Sequence, residues 1–382
     1  MSVALRVALM RGGTSRGVLV RGEELAAAAL RVGGLDAALL ALLGGAAKGG
    51  SGAGPRQADG LDGLGGSISS TQKVGVMGLR EPGVASYRFA QVSLAQGSVD
   101  WTASCGNLAA AAGLFAVEQG LLDAAALAHS PCGATHRIVQ LWDDNSSTAM
   151  QIHVDCAELL RAGGGAGGAG GAGGAGVTGR AHEVSIAGVP GTGPPVLVSV
   201  LGSRLSPLPT GRATELLRLR SGAPVEATLL RGANPTVFVH AAALGLDGRE
   251  QPKDIDWAGR VGPEVQHLLE QAAALMQSRL TSDEVDIVSR ITTEGRVHHA
   301  HTATGAMNLA VAAALPGTVP HAVARARPRG APLRIGHPAG VTDVAAHMCW
   351  HNGEPFCESV GLVRTARTIM VGDARLPVSL AS

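Results

Sequence analysis

Two stretches half a chain apart constrain the fold more than any other feature of the sequence. Ser104-Cys105-Gly106-Asn107 opens into LAAAAGLFAVEQGLL, and Ala303-Thr304-Gly305-Ala306 opens into MNLAVAAALPG. Each is a small residue, a Cys or Thr, a Gly, and then a helix almost free of polar side chains. A helix that is apolar on all sides has to be buried on all sides. Two such helices with matching starts predict a duplicated α/β (α+β) domain, each half wrapping a curved sheet around one central helix.

The chain has the material for this. Its 382 residues are 46% hydrophobic and 16% charged, enough for two cores and too little charge for a disordered chain. Lys+Arg 31 against Asp+Glu 30 gives a net charge of +1, and aromatics are 2%. Neither a basic surface nor base-stacking platforms are available, so nucleic acid is excluded as a main partner. No apolar run reaches membrane-spanning length. Five cysteines at 105, 132, 156, 349 and 357 form no CxxC. They suggest neither a zinc site nor a disulfide framework. The expectation is a soluble, cytoplasmic protein without membrane contact.

Local patterns place the elements. A strand over Val3–Met10, a Gly-rich turn at 11–17 and a strand over Val18–Val20 open the chain. Glu23–Leu43 has a helical pattern. Gly-rich loops at 44–54 and 62–71 precede Lys73 and strands in VGVMGL and VASYRFAQVSL. Strands follow within 137–156. Residues 162–176 are only Gly and Ala, with nothing to bury, and predict a flexible linker. Later strands are expected at 182–188, 195–201 and 236–240, and a helix at 262–278. The domains would be 1–176 and 177–365, with 366–382 returning to the first.

Chemistry is expected at a few positions. Cys105 would stand at a helix start, where unpaired N–H groups and the helix dipole favour a thiolate and can also hold a carboxylate. The alternative is a small buried hydrophobe. Lys73 is one of only three lysines and enters an apolar strand. Burial disfavours a charged amine and would make it a usable base; a strand-edge Lys reaching solvent is the alternative. RGGTSRG at 11–17 matches no nucleotide-binding fingerprint and suits a nest of N–H groups for a carboxylate. His298, His299 and His301 are dense, but a strand would split them between two faces, so no metal site is expected.

Taken together and in order, MRGGTSRG (10–17), DGLGGSISSTQKV (62–74), VDWTASCGNL (99–108), ANPTVFV (233–239), HHAHTATGA (298–306) and RIGHPAG (334–340) resemble one family across almost the whole chain. It is the PrpF-type 2-methylaconitate cis-trans isomerase family, which includes 4-oxalomesaconate tautomerase and methylitaconate isomerase. The resemblance implies a diaminopimelate-epimerase-like fold with the active site in the cleft between two domains. It implies cofactor-independent proton transfer on a small unsaturated di- or tricarboxylate, with Lys73 and Cys105 catalytic. Substrate binding would fall to Gly13, Thr14 and Ser15, to Gly66, Ser67 and Ser69, and to Gly106 and Asn107. On the other side it would fall to Thr302, Thr304 and Gly305, and to His337 and Gly340. No metal or cofactor is implied, and a homo-oligomer is left open.

Two departures stand out: Arg16 where the family pattern has Lys, and Ser104 where Asn precedes the Cys. A two-thiol epimerase of this fold would carry a Cys at both helix starts, whereas the second start here is Thr304-Gly305. That favours allylic isomerisation over epimerase or racemase chemistry on a small acid. A catalytically silent acid-binding protein is the remaining alternative. Which of Lys73 and Cys105 removes the proton, and which acid is used, stay open at this level.

Overall fold

The computed structural model describes residues 2–45, 62–132, 134–157, 160, 183–202, 207–232, 235–247, 250, 254–276, 291–293, 296–297, 301–324, 331–337, 340–351 and 353–377. The linker at 162–176, most of the 44–54 loop, and His298 and His299 lie outside these residues.

The opening hairpin pairs β1 (Ser2–Gly12) with β2 (Ser15–Arg21). Its two-residue turn is Gly13-Thr14, and Gly13 has φ +51°, a left-handed conformation that favours glycine. The strands that follow are β3 (Lys73–Glu81), β4 (Val84–Ser93), β5 (Ser98–Asp100), β6 (Ala128–His129), β7 (His136–Asp143), β8 (Thr148–Asp155) and β9 (Pro195–Leu201). Next are β10 (Glu215–Arg218), β11 (Pro224–Leu230), β12 (Thr236–Val239), β13 (Thr292–Thr293) and β14 (Arg296–Val297). The chain ends in β15 (Leu333–His337), β16 (Gly340–His351) and β17 (Glu354–Pro377).

A 12-stranded sheet runs β1-β2-β3-β4-β7-β8-β9-β17-β16-β15, with β5 and β6 attached at β4 and β7. Strand β17 does two jobs. Its first part pairs with β16 and β9, and from Ala366 onward it pairs antiparallel with β1, Ala366 opposite Gly12 and Pro377 opposite Ser2. That last pairing closes β1, β2, β3, β4, β7, β8, β9 and β17 into a ring. The first central helix, Gly106–Glu118, packs against strands all around this ring. Its Ala and Gly surface permits the close approach: a Cβ on Gly113 would collide with Ile152. The second central helix, Ala303–Ala313, is buried at every residue and packs on β16, β17 and β11. One continuous apolar core includes residues of both helices. The wrapped-helix architecture predicted from the two apolar stretches is therefore present.

Two expectations need correction. Glu23–Leu43 is not one helix but two, α1 (Gly22–Val32) and α2 (Leu35–Leu43), bent 95° apart. Gly33 at φ +97° and Gly34 at φ +117° make the break, because left-handed glycine ends a helix. Both helices pack on the outer face of β1 and β2. No strand forms over the described part of 182–188; a single bridge joins Val184 to Gly193. Gly188 and Gly191 both turn left-handed there, at φ +84° and +79°, which breaks an extended ladder.

Candidate active site

The two central helices meet start to start. A Cβ placed on Gly106 would stand 3.1 Å from Ala303 Cβ and 3.8 Å from the Thr304 nitrogen. Their positive dipole ends therefore converge on one region. This juxtaposition brings together residues about two hundred positions apart that the sequence singled out separately.

Cys105 is the residue preceding the first helix and is 9% exposed. Its Sγ accepts from the Leu108 N–H at 3.5 Å, and Ser15 Oγ lies 3.9 Å from the sulfur. The backbone N–H groups of Gly106 and Asn107 are buried in the first turn and meet no acceptor among the described residues. They are the donors a helix start leaves for a carboxylate. Beneath Cys105, Tyr87 donates to its carbonyl oxygen at 3.3 Å. Burial holds the Tyr87 phenol well above its ordinary range, with the nearby Cys105 and Asp143 adding to the rise. Asp143 is fully buried, and that burial raises its carboxyl, partly offset by hydrogen bonds from Ser104 and Ser146. Ser104 thus ties the segment entering the helix to a buried acid.

Lys73 begins β3 beside β2, in parallel register with Gly17. It is 8% exposed, so the solvent-reaching alternative is set aside. Its amine donates to Gln91 Oε1 and lies 5.1 Å from the Phe89 ring centre. Gln91 Nε2 in turn donates to the carbonyls of Ser69 and Gln72, at 3.2 and 3.0 Å. Those two acceptors require the amide nitrogen to face them, which leaves the amide oxygen for Lys73. Tyr87, Phe89 and Gln91 alternate on one face of β4, so a single strand face braces both Cys105 and Lys73. None of the three was singled out beforehand, although Y-x-F-x-Q is a period-two signal inside a stretch already read as a strand.

The turn residues arrange themselves around these two groups. Asn107 Nδ2 donates to Thr14 Oγ1 at 3.0 Å, and its Oδ1 sits over Gly13, where a Cβ would collide with it. The Gly13 N–H is occupied by Thr365 O at 2.9 Å, so Gly13 supplies space to this site rather than an N–H for a nest. Arg16 reaches the Gly65 carbonyl at 3.0 Å and holds the 62–71 loop. Within that loop Gly66 O accepts from Gln72, Ser67 is exposed and Ser69 is half-buried. At the second helix start Thr302 Oγ1 accepts from the Gly305 N–H at 3.1 Å, and Thr304 is buried. Gly340 pairs with His337 across the tip of the β15–β16 hairpin, and His337 Nε2 lies 3.0 Å from Thr342 Oγ1.

Two further groups enter from the tertiary structure. His301 is buried, its ring centre 6.0 Å from that of His337. Burial pulls it down to about 4, with the Arg364 charge contributing, so it is neutral near pH 7. Arg364 on β17 is 3% exposed and donates from Nε to Asn107 Oδ1 at 2.9 Å. Among the described residues no three His, Cys, Asp or Glu side chains gather as a metal set.

The family model described as PrpF protein matches residues 2–277 and 270–377. The 2-methyl-aconitate isomerase of Shewanella oneidensis is 30% identical, over 96% of this chain and 96% of that protein. The (4E)-oxalomesaconate Delta-isomerase of a Novosphingobium species is 30% identical, over 95% of each. Among solved structures, a methylitaconate-delta-isomerase superposes with a TM-score of 0.66 at 24% identity, covering 98% of this chain and 96% of that one. The fold is thereby the diaminopimelate-epimerase-like one.

Proposed function

The chain belongs to the PrpF protein family, and we propose that it is an isomerase that shifts or rotates a C=C bond in a small unsaturated di- or tricarboxylate. The carrying observation is the asymmetry at the joined helix starts. One offers a thiol, Cys105, braced by the same strand face as the buried amine of Lys73; the other offers Thr302 and Thr304. Of the other described cysteines, Cys349 and Cys357 lie out on β16 and β17, away from either start.

The chemistry follows from the substrate class. Moving a double bond beside a carboxylate requires loss of a proton from a conjugated carbon. The dienolate that forms places negative charge on carboxylate oxygens. Gly106 and Asn107 N–H groups, at the positive end of the first helix, stabilise that charge without reorganising. Lys73 and Cys105 carry the proton: one removes it and the other returns it, to the same carbon or to the far end of the allylic system. Gln91 keeps the Lys73 amine at the strand start, and Tyr87 keeps the Cys105 carbonyl in place. A two-thiol racemase mechanism lacks its second thiol here. The substrates in view are 2-methylaconitate, 4-oxalomesaconate and cis- or trans-aconitate, which share adjacent carboxylates.

Proton NMR of these acids with the protein in deuterated water tests this. Deuterium uptake at an allylic position, with build-up of the isomer, is the expected result. An acid that binds without any C–H exchange would make the protein a binder and end the enzymatic reading.

A further inference from the structure

We propose that Arg364 binds a carboxylate of the acid, separate from the carboxylate held at the first helix start. This rests on the function proposed above and names a residue for it.

Arg364 lies on the inward face of β17, in a row with Val360, Leu362 and Ala366, all buried. A guanidinium in an apolar row is costly unless something compensates it. The described protein groups give it only neutral acceptors. Nε donates to Asn107 Oδ1 at 2.9 Å, and Nη1 donates to the Val363 carbonyl at 3.0 Å. No carboxylate among the described residues lies within ion-pair distance of it. The other N–H groups of the fork meet no acceptor among those residues.

Its surroundings add positive potential rather than removing it. Asn107 belongs to the first turn of the first central helix, so the cation stands at that helix's positive end. His301, which feels its charge, immediately precedes the cap of the second central helix. The turn at Gly13 packs on the Arg364 stem, with a would-be Cβ 2.9 Å from Cδ. Burial lowers Arg364 to about 9, which still leaves it charged at neutral pH. A charged, planar fork, held at one edge by Asn107 with no acid beside it among the described residues, is suited to a carboxylate arriving from outside.

The two ends of the site then divide the work. The helix-start N–H groups take the carboxylate whose oxygens gain charge in the reaction. Arg364 takes a carboxylate that keeps its charge throughout, and so contributes binding and orientation more than rate acceleration.

The test uses the full chain as wild type, Arg364→Gln and Arg364→Lys, with cis-aconitate as the probe. Calorimetry gives Kd, thermal unfolding gives the Tm with and without the acid, and deuterium exchange gives turnover. Expected for Arg364→Gln is a Kd about 10–150-fold weaker, the range for losing a hydrogen bond to a charged group. KM should rise more than kcat falls. The acid-free Tm should hold or rise, because removing an uncompensated buried charge relieves the fold. Arg364→Lys should fall between, keeping charge without the fork.

Affinity within threefold of wild type in Arg364→Gln would overturn the assignment. So would an acid-free Tm that drops in both variants together with affinity, the signature of a structural arginine. Wild type that fails to bind the probe overturns it as well. Wild type that binds the probe through Arg364 yet exchanges no proton leaves the assignment standing and overturns only the isomerase function.

Discussion

The two helix starts are built alike and armed differently. Each is capped by a side chain that accepts from the first turn, Cys105 Sγ from Leu108 N at 3.5 Å and Thr302 Oγ1 from Gly305 N at 3.1 Å. Each helix carries an Asn locked over a glycine and bonded to a threonine: Asn107 over Gly13 with Thr14, Asn308 over Gly232 with Thr236. The backbone device is thus doubled. The ionisable chemistry is not. The first start has a thiol, a buried tyrosine below it and the Asn107–Arg364 contact. The second has hydroxyls and a histidine that burial keeps neutral. Two sets of oriented dipoles thus face one space, and the proton transfer proposed here falls to one side only.

The largest effects are expected from removing the thiol or the amine. Cys105→Ser and Lys73→Met should each lower turnover by about 10²–10⁴-fold, the span of general acid–base residues, with both variants folded. Cys105→Ser should spare affinity, since the first-turn N–H groups remain. The two losses should not multiply, because acid and base act as a unit. A folded Cys105→Ser enzyme with near-wild-type kcat would remove the thiol from the mechanism. Next in size is Gln91→Leu, which deprives the Lys73 amine of its acceptor. Turnover should drop about 10–100-fold, from the worth of a hydrogen bond to a charged group, and circular dichroism should stay unchanged.

Two smaller effects are expected at the second helix start. His301 binds its proton more weakly in the folded state than when unfolded, so the unfolded chain gains the proton first as pH falls. Its share of stability is present above pH of about 6.5 and is lost as pH falls towards about 4. Denaturant titrations across that window should show a shallower loss in His301→Gln than in wild type. Identical slopes would mean that His301 is not held neutral. Smallest is Thr302→Ala. Loss of a cap costs about 1 kcal/mol, and a Tm lowered by a few degrees with kcat within about threefold is expected. A loss as large as that of Cys105→Ser would show that both starts take part in proton transfer.

Much of this was legible residue by residue. Cys105 and Lys73 announced themselves through local context: a Gly-started apolar helix and a rare lysine entering an apolar strand. Gly33 and Gly34 stood in plain view, but helical periodicity on both sides masked the break they impose. The strand expected at 182–188 failed because alternation says nothing of the left-handed glycines at its end and just beyond it, Gly188 and Gly191. Gln91 was readable in principle, as the polar third member of an alternating Tyr87, Phe89, Gln91 face. Arg364 was not, since an arginine in a strand is ordinarily on the solvent side.

By itself, then, the sequence determined the local devices: two helices with no polar face, which could exist only if wrapped, and glycine turns that fit nothing bulkier. Periodicity and backbone preference act over a few residues, and those are the distances at which they can be read. Only the tertiary structure decided that the two helix starts abut and that one face of β4 serves both Cys105 and Lys73. It also decided that β17, by joining β9, β16 and β1, carries Arg364 inward to Asn107, 257 positions away in sequence. Sheet order sets those proximities. No local spacing encodes it, because strand pairing is fixed by the packing of the whole ring around its buried helix.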